Sequence, residues 1–118
     1  MSEREAASLS LRINLANGGR FGPGKAALLR AIAEAGSIRA GAGKLGMSYP
    51  RALKLIDEMN ADFREPLVTS SVGGSDRGGS ALSETGEAVL AAYDEACRQA
   101  EAGAASTLAT MTSYQDIG

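Results

Sequence analysis

A chain of 118 residues with 44% apolar content and only 4% aromatics has room for one domain built around small aliphatic side chains, and a net charge of −2 excludes a uniformly basic coat. With no histidine and a single cysteine, Cys97, it cannot form an internal disulfide or use histidine as an acid–base catalyst. A zinc site, or any other metal or cofactor site, is not expected.

The charge is unevenly spread. Residues 1–80 carry 11 Lys/Arg against 8 Asp/Glu, whereas residues 81–118 carry 1 against 6, a basic body followed by an acidic end. The opening MSEREAASLS lacks the apolar run of a signal peptide, and no stretch approaches a membrane span. The expectation is a cytoplasmic chain with no membrane partner, residues 1–8 forming a disordered leader.

From Ser8 to Leu15, Leu9, Leu11, Ile13 and Leu15 alternate with Ser10, Arg12 and Asn14, the period-2 pattern of a half-buried strand. Asn17-Gly18-Gly19 ends it with residues that tolerate turns. Gly19, Gly24 and Lys25 then match the G-x-x-x-x-G-K core of a phosphate-binding loop. The match fails chemically. Ala26 stands where a magnesium-binding hydroxyl is needed, Pro23 removes a backbone N–H, and no later strand supplies an acidic metal ligand. Pro23 instead opens a helix, with Leu28, Leu29, Ile32 and Ala35 toward the core and Gly36 at its end.

The run from Gly36 to Asn60 reads as two short helices joined by a tight turn. Ser37 caps the first, which carries Ile38, Ala42 and Leu45 at helical spacing and ends at Gly46. Gly41 and Gly43 inside it each cost about 1 kcal/mol against Ala, so packing on a neighbour has to hold it. Ser48 caps the second helix and Pro50 occupies its first turn. Ala52, Leu55, Ile56, Met59 and Phe63 share one side of it, and Arg51, Lys54, Asp57 and Ala61 the other. Such a helix–turn–helix can lay its second helix in a DNA groove, and an ordinary helical hairpin in a core is the bland alternative.

Pro66 is expected to stop that helix. Leu67–Val72 and Ser80–Leu82 then form two strands around a glycine-rich tip bearing Asp76 and Arg77, which together make a wing. Ser83 caps a last helix expected to reach about Gly103, with Val89, Tyr93, Ala96 and Ala100 in one stripe and Leu90 and Cys97 beside it. The domain organisation is therefore a leader at 1–8, a winged helix-turn-helix over 9–82, a dimerisation helix over 83–103 and a loose tail over 104–118. The fold class is mostly α with a small β wing and an extended C-terminal helix.

Leu11 to Tyr93 resembles the N-terminal winged-helix domain of ModE-type, molybdate-responsive transcription regulators, and more distantly the LysR-type DNA-binding domain. The resemblance lies in GPGKAALLRAIAEAGSI from Gly22, GMSYPRALKLIDEMN from Gly46, PLV from Pro66, the glycine-rich wing, and LSETGEAVL from Leu82. Pro50 departs from the Lys or Arg common in that family, and the wing reads GGSDRGGSA in place of a lysine among glycines. The chain ends near where the family's molybdate-binding domains begin, so no molybdate site is expected in it.

The resemblance implies a sequence-specific, double-stranded DNA-binding regulator acting as a homodimer. Ser48, Tyr49, Arg51 and Lys54 would enter the major groove. Arg39 and Lys44 would reach phosphates, with Arg64 a weaker candidate and Arg77 acting from the wing. The alternative is a protein-interaction module on the same scaffold that pairs with another regulator. No nucleophile–base pair supports an enzyme.

Overall fold

The computed structural model describes residues 7–70 and 79–115. Their elements run β1 (Ile13–Asn14), β2 (Arg20–Phe21), α1 (Pro23–Ala35), α2 (Ile38–Lys44), α3 (Tyr49–Asp62), β3 (Val68–Ser70), β4 (Ser80–Leu82) and α4 (Glu84–Ser113). β1 pairs antiparallel with β2, and β3 with β4, in two separate two-stranded sheets. This is a mostly helical winged helix-turn-helix with a long last helix.

Helix α1 is the hub. It begins at Pro23 behind an extended Gly22, and ends where Gly36 turns left-handed at φ 84° and returns its N–H to the Ile32 carbonyl. Leu28, Leu29 and Ile32 are fully buried, with Ala26 and Ala31 beside them. Around them Phe21, Ala42, Ala52, Ile56, Met59, Leu67, Val68 and Tyr93 close one contiguous core drawn from all four helices and both sheets. Phe21 meets Phe63 and Tyr93 edge-on, with ring centroids 6.5 and 5.2 Å apart.

Two glycines are required by close approach. A Cβ on Gly41 would meet the Ile32 backbone nitrogen at 3.0 Å, so α2 lies directly on α1 and its helix-weakening glycine is the condition of that contact. A Cβ on Gly86 would collide with the Leu67 carbonyl oxygen, where the start of α4 presses on the first wing strand. Ser83 closes the same corner: its hydroxyl accepts the Gly86 N–H at 2.9 Å and donates to the Pro66 carbonyl at 2.6 Å.

The structure departs from the sequence reading in four places. Exposure alternates over the whole of Ser8–Leu15 as the period-2 pattern predicts, but strand pairing is confined to Ile13 and Asn14. The helix start at Pro23 leaves β2 only two residues long, and the earlier segment leans on α4 instead. There the Leu9 N–H donates to Glu101 at 2.6 Å and the Tyr93 hydroxyl donates to the Leu11 carbonyl at 2.7 Å. The return strand β2 itself was not expected. Helix α3 stops at Asp62, ahead of Pro66, because Phe63 turns extended to pack on Phe21.

The last helix passes Gly103 and ends at Ser113, so residues 104–113 are helical rather than a loose tail. Gly103 has open space around it, and Ala104, Ala105, Leu108, Ala109 and Met111, interspersed with weaker Ser and Thr, carry the helix past its propensity cost. Among the described residues no helix is long and apolar enough to cross a membrane.

Candidate nucleic-acid interface

Helix α3 lies across α1 with Ala52, Ile56 and Met59 buried, which turns Pro50, Arg51, Lys54, Asp57, Glu58 and Ala61 outward. The charge on that outward strip changes sign along the axis: Arg51 and Lys54 on the N-terminal half, Asp57 and Glu58 on the C-terminal half. Positive charge on the outward strip is therefore confined to the N-terminal half of the helix. At that end Ser48 accepts the Arg51 N–H at 3.2 Å, capping the helix and completing its first turn.

The residues singled out from sequence fall into three groups. Arg51 and Lys54 are exposed and have no ion pair among the described residues. Arg39, exposed on α2, lays its guanidinium 4.2 Å from the centroid of the Tyr49 ring. Tyr49 is half-buried, and one face of its ring is covered by the Arg39 guanidinium. These two side chains, with Ser37, Ser70 and Ser80, border a 520 Å³ cleft between the start of α3 and the base of the wing.

Ser48 is exposed, but its hydroxyl already serves the cap. Lys44 is bonded to Glu34 of α1 at 2.9 Å, and the same contact holds the Glu34 carboxyl below the usual carboxylate range. Arg64 is exposed beyond the end of α3. Arg77 lies outside the described residues.

A further cationic group escaped the sequence reading. Arg12, Arg20, Lys25 and Arg51 border a 760 Å³ cleft between the β1–β2 hairpin and α3, with Glu58 and Asp62 on its α3 wall. Lys25 spends its charge internally, donating to the Arg20 carbonyl at 2.7 Å and pairing with Glu58 at 3.2 Å. This is a structural use of the lysine that mimicked a phosphate-binding loop. Asn17-Gly18 is a strong hairpin turn, so a strand returning through Arg20 was legible there.

A family model for bacterial regulatory helix-turn-helix proteins of the lysR family matches residues 25–87. The molybdenum-pterin-binding protein MopB of Rhodobacter capsulatus is 40% identical over 94 residues, 80% of this chain and 33% of its own length. The transcriptional regulator ModE of Yersinia pestis is 40% identical over 72 residues, 61% of this chain and 27% of its own. The DNA-binding transcriptional dual regulator ModE of Escherichia coli K12 is 39% identical over 72 residues, 61% and 28% of the two chains. The chain thus spans between about a quarter and a third of the length of these relatives, which are named as regulators and a molybdenum-pterin-binding protein rather than enzymes. With two packed short helices, a wing and a family model matched over more than half of its length, the chain belongs to the lysR family of bacterial regulatory helix-turn-helix proteins.

Proposed function

We propose that this chain is the sequence-specific, double-stranded DNA-binding module of a ModE-type transcription regulator, working in the cytoplasm as a homodimer. The observation that carries the reading is Arg51 and Lys54, unpaired among the described residues, on the outward N-terminal half of α3, set beside the stacked Arg39. An exposed arginine on a groove-entering helix offers the paired donors that match guanine O6 and N7. Lys54 enters the same groove one turn on, Arg39 supplies charge toward phosphates, and Arg77 of the wing is assigned that second task too. The acidic second half of α3 tilts the helix so that only its first two turns sit deep in the groove.

The homodimer reading is supported by α4. At 30 residues it is about 45 Å long, and only its first part packs on the core. Its far end presents Met111 and Tyr114, 63% and 86% exposed. A second copy of the helix is the simplest cover for them. Within these 118 residues we assign DNA binding and no molybdate site, so titration of the chain with molybdate is expected to give no binding heat.

Selection of bound duplexes from a random pool tests the main reading. Arg51→Ala and Lys54→Ala are each expected to weaken the selected duplex by about 5- to 100-fold, the cost of one groove contact, with helix content unchanged. No enriched duplex, or full binding by both variants, would refute it. Sedimentation of Leu108→Glu/Met111→Glu is expected to give a folded monomer; a dimer would place the interface elsewhere.

A further inference from the structure

We infer that the β1–β2 hairpin is a second phosphate-binding arm, which grips the DNA backbone on the edge of the groove away from the wing. The inference rests on the DNA-binding reading above and extends it to Arg12 and Arg20.

Duplex DNA presents two sugar–phosphate walls, one on each side of a helix lying in the major groove, whose width is about 12 Å. The elements flanking α3 match that arrangement. Tyr49 borders the cleft shared with Arg39 and the wing base. Arg51, Leu55, Glu58 and Asp62, spaced three and four residues apart along the other edge of α3, border the cleft shared with the hairpin.

The hairpin's alternation decides which side chains face outward. Ile13 pairs with Phe21 and is directed to the core; Asn14 pairs with Arg20, and Arg12 shares their face, two residues before Asn14. Arg12 and Arg20 are both exposed and have no ion pair among the described residues. Four cationic side chains border the cleft against two carboxylates, and one of those carboxylates, Glu58, is already paired with Lys25. Among the described residues the guanidinium groups of Arg12 and Arg20 are left to meet an outside anion beside the groove-facing Arg51. A duplex whose base edges are read by α3 brings a row of phosphates to that side.

The arm is also held in place. Its tip is anchored to the end of α3, where the Asn17 amide donates to the Asp62 carbonyl at 2.9 Å. Gly19 lets the hairpin approach so closely that any Cβ there would collide with the Asp62 carboxylate. Arg12 lays its stem against Gly22. A cationic arm fixed to the groove-entering helix contributes affinity without a large ordering cost.

The test uses the full chain and a duplex selected by it, with binding followed by anisotropy across a salt series. Arg12→Gln/Arg20→Gln is expected to lower the slope of log K against log salt by about 1.8, two phosphates at 0.9 each, and to weaken binding about 10-fold or more at physiological salt. Base preference should be unchanged, and ethylation interference should vanish at phosphates on the hairpin side alone. Arg12→Lys/Arg20→Lys should keep most of the slope. An unchanged slope in the Gln variant, while Arg51→Ala still impairs binding, overturns the arm and leaves the DNA-binding reading intact. Equal loss in the Gln and Lys variants also overturns it, since charge then is not the cause. Absence of binding by the unmodified chain removes both readings together.

Discussion

Asn60 joins α3 to the first strand of the wing, and its replacement gives a sharp test of how the two are held together. Its side-chain oxygen accepts the Leu67 N–H at 2.8 Å and the Val68 N–H at 3.3 Å, and its amide reaches the Val68 carbonyl at 3.5 Å. Leu67 is fully buried and Val68 nearly so, so water has little access to either N–H. Asn60→Leu keeps the branched outline, with somewhat bulkier methyl groups, and removes the acceptor. Leaving one buried donor unmade costs about 1–3 kcal/mol, and the longer Val68 bond adds less, for a loss of about 2 kcal/mol. With a urea m-value of about 2 kcal/mol/M for a domain of this size, the midpoint should fall by about 1 M at unchanged m.

Asn60→Asp separates hydrogen bonding from shape. It retains both accepted bonds, loses only the long amide contact, and places a negative charge near the end of α3, for a loss of about 1 kcal/mol. Because Asn60 carries no cation, Asn60→Leu should weaken the selected duplex without changing the salt slope. A Leu variant within about 0.5 kcal/mol of the parent, or an Asp variant as damaged as Leu, would refute the reasoning.

Three further outcomes follow from neighbouring features. Gly43→Ala, with open space around it, should raise stability by up to about 1 kcal/mol in thermal melts, whereas Gly41→Ala, pressed on Ile32, should lower it. Glu34→Gln should release Lys44 toward phosphate, raising duplex affinity about 2- to 5-fold at low salt, in line with the worth of an exposed ion pair. Burial first, and then the neighbouring Cys97, push the Tyr93 phenol from its ordinary 10.0 up to about 12. Between those values the unfolded chain holds fewer protons than the folded one, so stability is full below pH 10 and falls as pH rises through the window. Tyr93→Phe should flatten that fall in denaturation midpoints and remove the last phenolate step from the absorbance titration.

The sequence by itself determined the local elements. Ser37, Ser48 and Ser83 announce helix starts because a hydroxyl at that position meets an orphan N–H whatever surrounds it, and each does so here. Gly36 and the buried faces of α1 and α3 were equally legible, since periodicity is a property of the backbone. Extent was less legible. Propensity at Gly103 weighed against a helix that ten following residues sustain, and the period-2 run before Leu15 carried no sign that its partner strand would be two residues long.

Tertiary structure alone decided which cations remain available. Lys25 and Lys44 are paired with Glu58 and Glu34, while Arg39 keeps its charge and is only positioned by the ring of Tyr49, because α1, α2 and α3 bring those groups within reach across 33, 10 and 10 positions of chain. Arg12 and Arg20 came to stand beside Arg51 only when the hairpin tip was anchored to the end of α3. The charge of a side chain is written in its residue type. Whether that charge is already neutralised depends on contacts between distant segments, and these exist only once the helices have packed.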